Sequence, residues 1–145
     1  MTVKSSTGLR SYLMDTGSFK DAMSGGSIRL FAGPAPVDAD AAETGTLLCV
    51  ITNNGTATGI TFAPSATAGV LPKASGETWL GTNLASGTVT HYRLVAPGDT
   101  GTASITEARQ QGTVGLIGAD MNISNVLLTS GAPQSIDYAT MTLLP

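Results

Sequence analysis

The spacing of apolar residues changes once along this chain, near residue 27, dividing it into a short helical opening and a long β-rich remainder. In the opening, Leu9, Tyr12 and Leu13 recur at the three- and four-residue intervals of one helix face. They follow Ser6 and Thr7, whose side-chain oxygens can accept from the unpaired N–H groups of a first helical turn. Thr16-Gly17 ends this helix. Ser18 then reads as the cap of a second short helix that carries Phe19, Ala22 and Met23 on one face, points Lys20 and Asp21 outward, and stops at Gly25-Gly26. Helices this short are unstable alone and need a surface to pack on. The organisation expected is an N-terminal helical arm or cap over 1–26 and a β-sandwich domain over 27–145.

Beyond residue 27 the period approaches two, with β-branched residues and closely spaced turns, so the predicted fold is all-β: an antiparallel β-sandwich or jelly-roll-like barrel with short N-terminal helices. The first strand is expected over 27–31, and Gly33-Pro34-Ala35-Pro36 then opens a loop through Glu43, because neither proline can donate to a sheet. Residues 46–52, apolar on both faces, predict a central strand covered on each side. Asn53-Asn54-Gly55 suits a tight hairpin whose returning strand would be 59–62. The stretch 64–76 reads as a long loop or covering arm, and strands resume over 77–80 and 88–95. Pro97-Gly98-Asp99 is a turn leading at Thr100 into a hairpin-like partner. Met121 and Ile123 share a parity that Val126 and Leu128 break, which predicts a bulge at Ser124-Asn125. The last strand should cover 135–143.

Composition adds a constraint on the surface. In 145 residues only 12% are charged, about half the usual share, and the net charge is −3. A neutral, hydroxyl-rich exterior suits a protein largely covered by neighbours. The seven basic residues are scattered, which argues against nucleic-acid binding. The N-terminus lacks the apolar core of a secretory signal, and no apolar run approaches the ~20 residues of a membrane helix, so neither a leader nor a membrane partner is expected. The single cysteine, Cys49, rules out an internal disulfide.

Catalytic and ligand-binding patterns fall short at specific points. A Ser-His-acid hydrolase needs a histidine base, and the one histidine, His91, has no Gly-x-Ser-x-Gly turn to serve. On the strand 88–95 it shares a face with Val89, Arg93 and Val95 and reads as a rim or interface residue, where its titration could make association pH-dependent. One Cys and one His are too few for zinc. Asp38, Asp40 and Glu43 resemble the start of a calcium loop but lack its spacing and glycine, and so read as a solvated loop. Gly112, Gly115 and Gly118 do not match a dinucleotide fingerprint and mark bends. Trp79 is a core or interface anchor. No enzymatic activity, cofactor or metal is therefore expected.

Several segments together resemble small virion structural proteins of tailed bacteriophages: Ser6-Thr7-Gly8-Leu9-Arg10, Gly17-Ser18-Phe19-Lys20, the run from Gly26 through Ile28 to Gly33, and Thr46-Leu47-Leu48-Cys49. The likeness continues through Thr90-His91-Tyr92-Arg93, Gln111-Gly112-Thr113-Val114, Gly118-Ala119-Asp120-Met121-Asn122 and Ile136-Asp137-Tyr138, and so spans nearly the whole chain. The resemblance implies a capsid decoration or cement protein that bridges capsomers, with a minor tail or host-recognition module as the alternative. The implied partners are the major capsid protein and copies of the chain itself, and the implied location is the virion, assembled in the host cytoplasm. No catalytic residue carries over. On physical grounds the expected interface residues are Leu9, Arg10, Tyr12, Leu13, Phe19, Trp79, His91 and Arg93, with residues 1–19 as a docking arm or, equally, a cap on the sandwich.

Overall fold

The computed structural model describes residues 3–142. It is built from twelve strands and two short helices. In chain order these are β1 (Lys4–Ser5), α1 (Thr7–Asp15), α2 (Phe19–Met23), β2 (Ser27–Ala32), β3 (Thr46–Asn53), β4 (Val70–Pro72), β5 (Trp79–Thr82) and β6 (Gly87–Thr88). They continue with β7 (His91–Val95), β8 (Arg109–Gly115), β9 (Met121–Asn122), β10 (Leu127–Leu128), β11 (Pro133–Ile136) and β12 (Thr140–Thr142). The fold is all-β and sandwich-like, with mainly antiparallel pairing. One large sheet has the order β1-β8-β7-β2-β3-β5-β11 with β9 added to β8, and two ribbons, β10-β6 and β12-β4, stand apart from it. Among the described residues no helix is long and apolar enough to cross a membrane.

Both predicted helices form, for the predicted reasons. The Ser6 side chain accepts from the Leu9 N–H, and Ser18 with Asp21 makes a reciprocal capping box. Neither helix is free. Leu9, Ala22 and Met23 lie in the same core as the sheet, and the Ser6 hydroxyl both accepts from the Arg109 N–H and donates to the Glu107 carbonyl. Gly8 permits this docking, since a Cβ there would lie 2.3 Å from the Thr106 carbonyl oxygen. The described part of the N-terminal stretch thus closes the sandwich as a cap, with β1 paired to β8.

The central strand reads as expected: β3 sits between β2 and β5, with Leu48, Cys49 and Ile51 buried. Several details differ from the sequence reading. Asn54 and Gly55 do take positive φ in a tight turn, but residues 59–62 do not return along β3; Ile60 instead bridges Gly26, and β5 takes the place beside β3. Gly59 explains the detour, because it presses on the Gly25 backbone where any Cβ would collide. The run 88–95 is split, since the chain leaves the β10 ribbon and joins the large sheet at Val89-Thr90.

The parity break over 119–128 is likewise a change of partner rather than a bulge: β9 lies parallel to β8, and β10 pairs with β6. The final segment is two strands, β11 on β5 and β12 on β4, and the predicted end at Leu143 lies outside the described residues. After the turn at Gly98 the chain loops until Arg109 before it returns as β8 beside β7. The loop 64–76 contains β4, bounded by a turn at Ala68 and Gly69.

Candidate functional site

The two faces of the sheet differ in chemistry. In an antiparallel pair directly opposed residues point to the same side, so the pairings Ile28 with Leu94 and Leu30 with Tyr92 build the apolar core face. The alternate pairs Arg29 with Arg93, Phe31 with His91, and Arg93 with Gln111 build the opposite face. A strap, residues 33–45, lies over that polar face. It begins and ends on glycines with positive φ, Gly33 and Gly45, whose close approach forms its neck.

The strap is held by side chains from three neighbouring strands. Arg93, 1% exposed, donates through Nη1 to the Ala41 carbonyl (2.9 Å), through Nη2 to the Asp38 carbonyl and, from Nε and Nη2, to the Gln111 amide oxygen. Gln111 Nε2 donates in turn to the Pro36 carbonyl. Arg109 binds Asp99 through two bonds, Nε to Oδ2 at 2.5 Å and Nη2 to Oδ1 at 2.8 Å, and also reaches the Thr102 and Ala39 carbonyls. Arg29 pairs with Glu43 and donates to the Asp99 carbonyl.

The electrostatics follow from this burial. Burial alone would push the Asp99 carboxyl up, but the Arg109 guanidinium and the Gly101 N–H outweigh it and hold it below the usual range. Arg93 has no carboxylate in contact, and burial depresses its pKa, with Arg109 adding to the shift. Every donor it uses ends on a carbonyl or amide oxygen. The arrangement clamps the backbone of the strap and buries the guanidinium groups of Arg93 and Arg109.

The three carboxylates that resemble the start of a calcium loop are dispersed. Asp38 Oδ1 accepts from the Asp40 and Ala41 N–H groups, Asp40 accepts from the Thr7 N–H and hydroxyl, and Glu43 takes Arg29. The Thr7 bonds hold the Asp40 carboxyl low. Gly112 is a close-approach position, where a Cβ would meet the Tyr92 ring at 2.7 Å.

The residues expected at an interface separate into two groups. Leu9, Trp79, His91 and Arg93 are buried inside the chain, so they present no surface to a partner. His91 is not a rim residue: the strap covers its face of the sheet, so alternation alone misplaced it. Trp79 is a core anchor, with Nε1 donating to Glu77 and its ring edge-on to Phe62. Arg10 is exposed, and Tyr12, Leu13 and Phe19 are half-buried, packed against the core. Phe19 meets Phe62 edge-on, which extends the aromatic chain from Trp79 to the wall of an apolar cavity of about 380 Å³. Sequence reasoning missed that cavity and the exposed Leu116-Ile117 tip between β8 and β9. The adjacent aliphatics between Gly115 and Gly118 were the available signal for the tip.

His91 gives the site a pH dependence. Its ring stacks on Phe31 at 5.1 Å, Nδ1 lies 3.0 Å from the Thr90 hydroxyl, and the buried Nε2 has no partner among the described residues. Burial, reinforced by Arg93, lowers its pKa below 6.5. The unfolded chain therefore takes up a proton at a pH where the folded chain does not, so the stability present above pH 6.5 is lost as pH falls below that value. The Asp40, Glu77 and Asp99 carboxyls, all lowered, add further losses only below their ordinary values of 3.8 to 4.5. His91→Phe should keep the stack and abolish the upper limb: between pH 8 and 5 the wild-type urea midpoint falls while that of the variant stays level. Parallel midpoints in the two proteins would show that His91 is not the source. No family model, curated protein or solved structure matches the chain.

Proposed function

We propose that this chain is a non-catalytic structural component of a tailed-phage particle, acting as a capsid decoration or cement protein that bridges capsomers. The observation that carries the reading is a contrast between interior and exterior. The interior is cross-braced by buried arginine clamps, whereas the charge-poor exterior exposes large apolar side chains, among them Met14, Leu116, Ile117, Leu127 and Tyr138. A rigid domain loses little freedom on docking, and exposed apolar residues are what a covered surface contributes. The virion resemblance of its segments supplies the setting. The buried, stacked His91 ring, out of reach of a substrate, supports a role other than catalysis.

Quantitative mass spectrometry of purified particles tests the proposal. A decoration protein is present on the order of hundreds of copies, and its removal lowers the shell's tolerance of heat or low salt. A count of about six or twelve copies would replace this reading with a tail component.

A further inference from the structure

Two surface features have no role within the monomer, and each supplies what the other lacks. The first is the loop between β8 and β9, which holds Leu116 and Ile117 at 61% and 91% exposure. It is not a slack loop. Asp120 Oδ2 accepts from both the N–H and hydroxyl of Thr113, the Asp120 N–H returns a bond to the Thr113 oxygen, and Asn122 Oδ1 accepts from the Ala119 N–H. The Ile123 N–H closes the base on the Gly115 carbonyl. Two aliphatic side chains carried in water on a loop braced by these bonds have the form of a preorganised anchor.

The second feature is the cavity of about 380 Å³ whose apolar wall is Phe19, Ala66, Leu71 and Met141. Lys20 also lines the cavity, and its Nζ is engaged by the Pro64 carbonyl. An apolar cavity of about 150 Å³ accepts a six-carbon ring, so this one has room for the eight side-chain carbons of a leucine and an isoleucine. Gln110, at the start of β8, also lines the cavity, whereas the anchor follows the end of the same strand. At ~3.4 Å per residue the two lie roughly 20 Å apart, at opposite ends of one rigid strand, so the anchor cannot fill its own cavity.

We propose that the chain associates head to tail with further copies of itself, the Leu116-Ile117 tip of one copy seated in the Phe19–Leu71–Met141 cavity of the next. A contact between two different patches at opposite ends is heterologous, and it propagates into a ring or an open row according to the rotation between copies. The proposal rests on the assembly reading above and names one partner within it. The binding chemistry is aliphatic burial, so association strengthens with kosmotropic salt and is not screened by sodium chloride.

Sedimentation velocity on the full chain over a concentration series, with two variants, tests this. Ile117→Asp removes the anchor and Ala66→Trp fills the cavity; both positions are exposed, so the fold is not at stake. Each variant alone should associate at least about thirtyfold more weakly than wild type. Mixed together, they should form a dimer and nothing larger, because one intact tip meets one intact cavity and no further ends remain. A wild-type chain that stays monomeric at millimolar concentration, or variants whose mixture fails to pair, overturns the head-to-tail contact. The particle copy number stands or falls separately, so failure here is distinguishable from failure of the virion reading.

Discussion

Asp99→Ala should cost about 3–5 kcal/mol of stability, seen as a large drop in the urea midpoint, because it leaves the Arg109 guanidinium charged and fully buried with no counter-ion. Against a total of about 5–15 kcal/mol for a domain, that is enough to leave the variant marginal. The cause is removal of one partner only. The desolvation of Arg109 persists, while the two bonds that offset it vanish, together with the Asp99 bond from the Gly101 N–H. Replacing both charges, Asp99→Leu with Arg109→Met, should recover much of the loss, short of the part Arg109 supplies by holding the Thr102 and Ala39 carbonyls. A single variant within about 1 kcal/mol of wild type would mean that water reaches the guanidinium and that the clamp does not hold the strap.

Removal of the stretch through Phe19 is the second large effect: the shortened chain should lose cooperative folding altogether. The excision takes away Leu9, which is fully buried, the half-buried Tyr12, Leu13 and Phe19, and the strand β1 that covers the edge of β8. It also strips the Arg109 N–H and the Glu107 carbonyl of the Ser6 hydroxyl. One buried leucine alone is worth about 2–5 kcal/mol. The expected result is a chain without near-ultraviolet circular dichroism and without a sharp thermal transition. A sharp transition retained by the shortened chain would make the segment an appendage, free to act as an arm.

How much of this was legible in the sequence depended on the range of the interaction. Ser6 and Ser18 announce their helices because a cap is settled within three residues, and the apolar run of β3 announces a central strand because both faces must be covered. Partner choice was not legible. Thr88–Val95 read as one strand and the stretch before Leu128 as a bulged one because alternation says nothing about which strand lies alongside, and Gly59 sends the chain to Gly25 instead of back along β3. The polar face was hidden for the same reason. Arg29, Arg93 and Arg109 stand far apart in sequence, and only the register of β2, β7 and β8 gathers them under the strap. His91 and Arg93 alternate as surface residues would, and what buries them is a proline-containing loop some fifty residues upstream.

The bond from the Arg109 N–H to the Ser6 hydroxyl joins residues 103 apart. During synthesis, at about 5–20 residues per second, the capped first helix therefore waits roughly 5–20 s before the strand it closes against is even made. Through that interval α1 has only α2 and the earlier strands to pack on, and the sheet cannot gain its first edge. Pairing of such distant segments also slows folding itself, because the loop must close before any contact offsets its entropy. The N-terminal cap thus docks only once β8 exists, and β9 to β12 complete the fold after that strand has been made.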